Sequence, residues 1–188
     1  AIFSKFGTKL IDELLKTDYK LIIRPHPQSF TSEKELIDSL MKRYPDSDRI
    51  EWNRDNDNFD VLRRSDIMIS DFSGVMFDFS LVFDKPVIYT DVQYDKAPYD
   101  ACWLEQEPWT FRVLPKIGCK LTEDNMNQVG QLIESCLNDK EFAEGRNEAR
   151  EETWAYIGEG AKRTVDYLET KHKTLVDDKP AEIVEETA

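Results

Sequence analysis

The sequence has few of the features on which disulfide-linked, membrane-spanning and nucleic-acid-binding proteins depend. It contains only 3 cysteines in 188 residues and no Cys-x-x-Cys pair, which argues against a disulfide framework or a zinc site. No run approaches the roughly 18 consecutive apolar residues that a membrane-spanning helix requires. The net charge of −13 argues against a broad nucleic-acid surface, whereas a small phosphorylated ligand needs only a local positive site.

Common catalytic signatures are absent as well. The sequence has no Walker motif, no Gly-x-Gly-x-x-Gly turn, no His-Glu-x-x-His helix and no Ser-His-Asp arrangement. We therefore predict neither a bound metal nor another cofactor. Only 2 histidines are present, and His172 lies in a charged segment where we expect it to be solvated. His26 is thus the main candidate for acid–base chemistry.

Short apolar runs alternate with amphipathic segments along most of the chain. The runs predicted as strands are residues 19–23, 50–52, 66–70 and 87–89. The segments with helical spacing are residues 4–15, 31–41, 56–64, 75–83, 122–137, 141–157 and 160–170. In the third of these, Phe59, Val61 and Leu62 are expected to point inward. The alternation favours an α/β fold in which helices cover both faces of a parallel sheet.

One long irregular stretch, residues 90–117, interrupts this pattern and is interpreted as a functional loop. Within it, residues 111–114 are a possible edge strand. Its aromatic side chains either cover a nucleobase or form a small core that holds the loop down. These aromatics are Tyr94, Tyr99, Trp103 and Trp109.

The first candidate site is the motif Arg-Pro-His-Pro at residues 24–27, directly after the first predicted strand. In an open parallel sheet, ligands bind outside the carboxyl ends of the strands. The prolines fix the backbone and aim His26 at that crevice, where an imidazolium would neutralise or protonate a phosphate. The alternative is a loop histidine that bonds a neighbouring carbonyl. Arg24 either contacts the same anion or pairs with a structural carboxylate.

The second candidate site is the segment Asp-Phe-Ser-Gly at residues 71–74, between a predicted strand and a predicted helix. Free N–H groups at a helix start bind anions, and Gly74 lets a phosphate approach closely. The Ser73 hydroxyl either donates to a phosphate or caps the helix. Asp71 either binds a ligand hydroxyl or caps the same helix, and Asp78 is a candidate for holding a neighbouring loop.

Four motifs, taken in order, are similar to those of a known family. They are Arg-x-His-Pro at 24–27, Asp-Tyr-Ser-Ser with Phe-Asp (here 71–74 and 77–78), Lys-Pro-Val-Ile-Tyr at 85–89, and a closing Gly-x-Ala-x-x-Arg-like segment at 158–163. Over about residues 19–168, the chain resembles the C-terminal half of the CDP-glycerol glycerophosphotransferases, of the teichoic acid polymerase and primase type. Members have two facing Rossmann-like domains. The resemblance therefore implies the C-terminal, donor-binding half of a GT-B fold.

The resemblance also implies an activity. In such enzymes this half binds a CDP-alcohol, from which glycerol phosphate passes to a growing teichoic-acid-like or surface polymer with release of CMP. His26 would be catalytic, stabilising or protonating the leaving phosphate. The donor phosphates would be held by Arg24, Ser73 and Gly74, while Asp71 and Asp78 would bind a donor hydroxyl or serve the structure. The polymer acceptor would be bound mainly by an N-terminal half with no counterpart in this chain.

Two departures from the family pattern leave the donor open. Phe72 lacks the usual tyrosine hydroxyl and Gly74 replaces a second serine, so the donor alcohol is glycerol, ribitol or another group. Two other functions remain alternatives. One is a GT-B glycosyltransferase domain that uses a nucleotide sugar, and the other is a non-catalytic nucleotide-binding module.

The domain organisation follows from these assignments. Residues 1–170 are predicted to form the donor-binding domain, and residues 171–188 a charged, disordered tail. The start reads as a cut within a longer enzyme, and the fragment is expected to be inactive alone. We expect no nucleic-acid partner. The expected location of the whole protein is cytoplasmic, with peripheral association at the inner face of the cell membrane.

Overall fold

A computed structural model describes residues 2–71, 73–90, 105 and 107–177, and residues 174–177 by their backbone alone. The chain divides into two compact units, Ala1–Arg150 and Glu151–Ala188. That one domain extends to residue 170 stays a prediction. Among the described helices, none has the length and apolar character that crossing a bilayer demands.

Strands and helices alternate through the first unit. The strands are β1 (Leu21–Ile23), β2 (Ile50–Trp52), β3 (Met68–Ser70), β4 (Val87–Thr90) and β5 (Gly118–Leu121). The helices are α1 (Ile2–Leu14), α2 (Ser29–Ser32), α3 (Lys34–Arg43), α4 (Phe59–Arg64), α5 (Val75–Phe77), α6 (Trp109–Ile117), α7 (Val129–Asn138) and α8 (Lys140–Thr153). A π-helical turn at Asp78–Val82 follows α5, and a 3₁₀ turn at Met126–Gln128 precedes α7. In the second unit, α9 spans Gly160–Asp177 and so continues past residue 170, into the segment expected to be disordered.

All the strand pairs are parallel among the described residues. β1 pairs with β2, and β3, β4 and β5 form a three-stranded sheet in that order. Two observations indicate that β1 runs in the same direction as β3. The hydrogen bond to Glu134 and burial raise the pKa of Tyr19, just before β1, and the charge of Asp66, just before β3, raises it further. At the opposite ends, the backbone N–H of Ile2, at the start of α1, donates to Asp71 Oδ2, just after β3, at 3.0 Å.

The strands separate two hydrophobic clusters, one on each face. On β1, Leu21 and Ile23 belong to the first cluster, whereas Ile22 packs against the second. β4 repeats the alternation, with Ile88 in the first cluster and Val87 in the second, as expected for side chains that alternate along a strand. Helices α1, α3 and α7 cover the first face, and α4, α5, α6 and α8 cover the second. The predicted α/β fold, with parallel strands and helices on both faces, is confirmed, but the described strands form two sheets, β1–β2 and β3–β4–β5, and not one.

The prediction of an edge strand at residues 111–114 is wrong, because this segment lies in helix α6. Val113, Leu114 and Ile117 are buried at helical spacing against the second cluster. The edge strand is β5, directly after this helix. Its sequence, Gly-Cys-Lys-Leu, has no continuous apolar run, which explains why the sequence pattern did not mark it.

Two helices also differ from expectation in their details. Val61 and Leu62 of α4 are buried as predicted, but Phe59 is 56% exposed and rests on the ring of Phe83 at a centroid distance of 5.4 Å. The helix predicted over residues 75–83 is a short α-helix that widens into the π-helical turn, and Val82 is exposed there.

Two side chains just before β4 bind helices α4 and α8. Lys85 Nζ, just before β4, donates to the carbonyls of Leu62, Arg63 and Ser65 at 3.3, 2.6 and 2.5 Å, and so ends α4. Asp84 binds Arg146 and Arg150 of α8. Burial opposes ionisation of Asp84, but the hydrogen bonds and charges of these arginines outweigh it and lower its pKa. The family-like Lys-Pro segment therefore has a structural role here.

Helix α8 approaches α6 so closely that only glycine fits at one position. A Cβ atom on Gly145 would lie 2.0 Å from the carbonyl oxygen of Lys116, which is backbone and cannot move aside cheaply. By contrast, a Cβ on Gly160, at the start of α9, would meet nothing within 4 Å.

We therefore expect Gly145→Ala to lower the free energy of unfolding by about 1–2 kcal/mol, because overpacking outweighs the gain of roughly 1 kcal/mol in helix propensity. Gly160→Ala is the matched control and should not lower it. Urea unfolding followed by circular dichroism measures both. Equal stability of the two variants would contradict the close approach of α8 to α6.

Candidate functional site

Both sequence motifs lie on the carboxyl edge of the strands. β1 ends at Ile23 and is followed by residues 24–27, while β3 ends at Ser70 and is followed by residues 71–74. Because β1 and β3 run in the same direction, the two segments emerge on the same edge. This is the edge at which open parallel sheets bind ligands.

The first segment presents a histidine on a fixed loop. Pro25 is completely buried and anchors the loop, whereas His26 is exposed. The backbone N–H of Gln28 donates to His26 Nδ1 at 3.2 Å, and the N–H of Ser29 donates to the His26 carbonyl at 2.8 Å. Since Nδ1 accepts, a neutral imidazole here carries its proton on Nε2. The ring can therefore offer an Nε2–H donor to an anion at the edge.

Arg24 contacts an amide and a carbonyl instead of a carboxylate. Its Nε donates to Asn53 Oδ1 at 3.0 Å, and its Nη2 donates to the Asp55 carbonyl at 2.8 Å. Within the part of the chain that the structure describes, no ion pair to Arg24 occurs. The sequence analysis missed Asn53; the only signal for it was a polar residue directly after a predicted strand.

The second segment differs from the expected helix cap. Neither Asp71 nor Ser73 caps α5 with its side chain. The Asp71 carboxylate accepts a hydrogen bond from the backbone N–H of Ile2 at the start of α1. This contact matches neither of the two roles predicted for Asp71. The Ser73 hydroxyl has no partner among the residues described and stays available for a ligand.

The helix after this segment is also shorter than expected, which weakens its dipole. α5 has only 3 residues before the π-helical turn begins at Asp78. Any anion held here would thus rely on individual N–H groups and the Ser73 hydroxyl more than on a long helix dipole. Whether Asp78 binds a donor hydroxyl stays a prediction.

Gly74 has an ordinary helical backbone with space around it. Its φ of −56° is accessible to any residue, and a Cβ atom would meet none of the described residues within 4 Å. The fold itself therefore does not require glycine at this position. The free volume in front of Gly74 is available to an approaching group.

Several predicted features fall outside the described residues, namely Phe72, Tyr94, Tyr99 and Trp103. Trp109 is described and lies in α6, where its ring packs against Phe77 at a centroid distance of 5.6 Å. This contact agrees with the interpretation of Trp109 as part of a small core.

A shallow groove of about 300 Å³ lies elsewhere in the first unit, between the end of α6 and α8. Because α6 ends where β5 begins, this groove is at the amino edge, away from both motifs. Three glutamates and Lys116 are among its lining residues, a charge balance that disfavours an anion. Across residues 2–71, 73–90, 105 and 107–177, no group of three or more His, Cys, Asp or Glu side chains is placed to hold a metal ion.

Comparisons with known proteins point in one direction. The family described as CDP-glycerol:poly(glycerophosphate) glycerophosphotransferase matches residues 3–166. The minor teichoic acid biosynthesis protein GgaB of Bacillus subtilis (strain 168) is 35% identical over 101 residues, which cover 50% of this chain and 10% of that protein. The teichoic acid glycerol-phosphate primase of Bacillus spizizenii (strain ATCC 23059 / NRRL B-14472 / W23) is 32% identical over 98 residues, or 50% of this chain and 22% of that protein. The chain thus matches only a small part of these relatives.

A substitution at Gly74 tests whether the fold itself requires glycine at this position. We expect Gly74→Ser to change the free energy of unfolding by less than about 0.5 kcal/mol, because its side chain enters open space. Gly118→Ser is the control, since a Cβ there would lie 1.7 Å from the carbonyl oxygen of Val87. Urea unfolding should show a clear loss for the control only. A comparable loss for Gly74→Ser would mean that the fold itself excludes a side chain at this position.

Proposed function

Since the chain belongs to the CDP-glycerol:poly(glycerophosphate) glycerophosphotransferase family, we propose that it is the donor-binding part of an enzyme of teichoic-acid-like polymer synthesis. The reaction moves glycerol phosphate, or a related phospho-alcohol, from a CDP-alcohol to the growing polymer and releases CMP. One observation carries the proposal. Residues 24–27 and 71–74, which can both contact a phosphate, directly follow the carboxyl ends of β1 and β3.

The chemistry is a displacement at phosphorus. A hydroxyl oxygen of the acceptor attacks the phosphorus that bears the alcohol, and the bond from this phosphorus to the bridging oxygen breaks. The bond electrons remain on the oxygen of the departing CMP, while the proton of the attacking hydroxyl passes to a base. His26 is suited to the leaving-group side, because an Nε2–H donor can stabilise or protonate the departing phosphate.

The other contacts to the CDP-alcohol are made by groups at this edge that remain available to a ligand. The diphosphate of the donor is held by the Arg24 guanidinium, the Ser73 hydroxyl and the backbone at Gly74, into whose open space a phosphate oxygen fits. Arg24 supplies a local positive charge in a chain whose net charge is −13. Asp71 contributes through its bond to α1, which fixes the backbone from which Ser73 and Gly74 follow.

The acceptor side belongs to the part of the enzyme outside this chain. In the GT-B arrangement a second Rossmann-like half faces the carboxyl edge, binds the polymer and supplies the base. The whole enzyme then works in the cytoplasm, in peripheral contact with the inner face of the membrane where the polymer grows. No nucleic acid takes part.

Nucleotide selectivity tests the proposal. With the protein at its natural length, we expect isothermal titration calorimetry to detect binding of CDP-glycerol and CMP but not of UDP-glucose. Absence of binding by any cytidine nucleotide would refute the proposal. Preference for the UDP-sugar would instead favour a glycosyltransferase.

The role of His26 is tested by its removal. We expect His26→Ala to lower kcat for CMP release by about 100-fold or more, as is typical for loss of a general acid, with a smaller change in CDP-glycerol affinity. His172→Ala is the matched control, because this second histidine lies exposed in α9 and should leave turnover unchanged. Unchanged turnover for His26→Ala would remove its catalytic role and favour a non-catalytic nucleotide-binding module.

A further inference from the structure

Asn53 is a buried polar residue at the carboxyl edge of the strands. It directly follows β2, it is only 6% exposed, and its backbone N–H donates to the carbonyl of Ile23 at 2.9 Å, which extends the pairing of β1 with β2 by one step. Its side chain is therefore fixed beside the point where Arg24 leaves β1. A buried amide in such a position needs partners, because an unpaired one is costly.

Both ends of the Asn53 amide are used. Its Oδ1 accepts from Arg24 Nε at 3.0 Å, and its Nδ2 donates to the carboxylate of Asp55 at 2.8 Å. Asp55 in turn accepts from Arg24 Nη2 with its backbone carbonyl, at 2.8 Å. The carboxylate of Asp55, which is the natural partner for a guanidinium, is thus engaged by an amide.

This arrangement leaves a defined part of the guanidinium free. The group has five N–H donors in a planar fork. The Nε–H and one Nη2–H are used along one side of the plane. The end of the fork, made by Nη1 and the other Nη2–H, has no partner in the part of the chain that the structure describes. That end can still bind a phosphate through two parallel hydrogen bonds.

We propose that Asn53 is a positioning residue for the donor phosphate: it anchors Arg24 from the side and keeps the Asp55 carboxylate away from the guanidinium. The charge of Arg24 then remains available to the ligand. This inference rests on the proposed function, in which Arg24 contacts the diphosphate of a CDP-alcohol.

If this network had only a structural role, Arg24 would be expected to have a different partner. If Arg24 served only to join β1 to the loop after β2, pairing with the Asp55 carboxylate two residues beyond Asn53 would be the stronger interaction. Instead, the carboxylate is diverted while the carbonyl of the same residue holds Arg24. The network therefore orients a cation without neutralising it.

The test is calorimetric titration of CDP-glycerol into variants of the protein at its natural length. Asn53→Leu removes both hydrogen bonds and frees the Asp55 carboxylate to pair with Arg24, so we expect affinity to fall about 10-fold, the scale of a charge-assisted hydrogen bond. Removing that carboxylate as well, in Asn53→Leu/Asp55→Ala, should recover part of the loss. Asn56→Leu is the matched control; Asn56 is exposed, and the change should leave affinity as it is.

A double-mutant cycle with Arg24→Ala separates positioning from folding. If Asn53 acts through Arg24, Asn53→Leu has no further effect on affinity once Arg24 is alanine. An equal loss in both backgrounds, or no loss in the single variant, would overturn the inference. Should Asn53→Leu fail to fold, Asn53→Asp takes its place in the cycle; it keeps the acceptor for Arg24 but neutralises its charge, so the same dependence on Arg24 is expected. Failure of the wild-type protein to bind CDP-glycerol would instead defeat the proposed function itself.

Discussion

The candidate site depends on the common direction of β1 and β3, because this alone brings residues 24–27 and 71–74 to one edge. Helix α1 and the residues that follow it connect the two edges. Its first N–H is held by Asp71 after β3, and the chain that follows it returns to the amino edge, where Tyr19 lies near Asp66 before β1 begins.

The two edges of the sheet use their cations in different ways. At the amino edge, basic side chains donate hydrogen bonds to oxygen atoms of the protein. Lys85 ends α4, Arg49 binds the carbonyls of Thr17 and Tyr19, and Arg146 binds Asp84. At the carboxyl edge, the Arg24 guanidinium forms hydrogen bonds along one side only. The carboxylate of Asp55 accepts from Asn53 and not from Arg24. An acidic chain can therefore attract a diphosphate through one well-placed arginine, without a broad basic surface.

The sequence was informative where its signals are local. Alternating apolar runs predict the α/β fold, and prolines beside His26 predict a fixed loop after β1, as the structure has it. Signals that depend on packing were missed. Residues 111–114 read equally well as strand or helix until Ile117 and the second cluster select the helix. Asn53 gave only a weak signal, as a polar residue directly after a predicted strand, because its importance comes from its contacts with Arg24 and Asp55 in the folded protein. The roles of His26, Ser73 and Asp78 stay predictions.

The central claim is that one diphosphate bridges the loop after β1 and the turn after β3. A crystal structure of the protein with CDP-glycerol bound measures this most directly. The account predicts phosphate oxygens within hydrogen-bonding distance of Arg24 or His26 on one side and of Ser73 or the backbone at Gly74 on the other. A nucleotide bound away from this edge, or diphosphate contacts confined to one of the two segments, would contradict it.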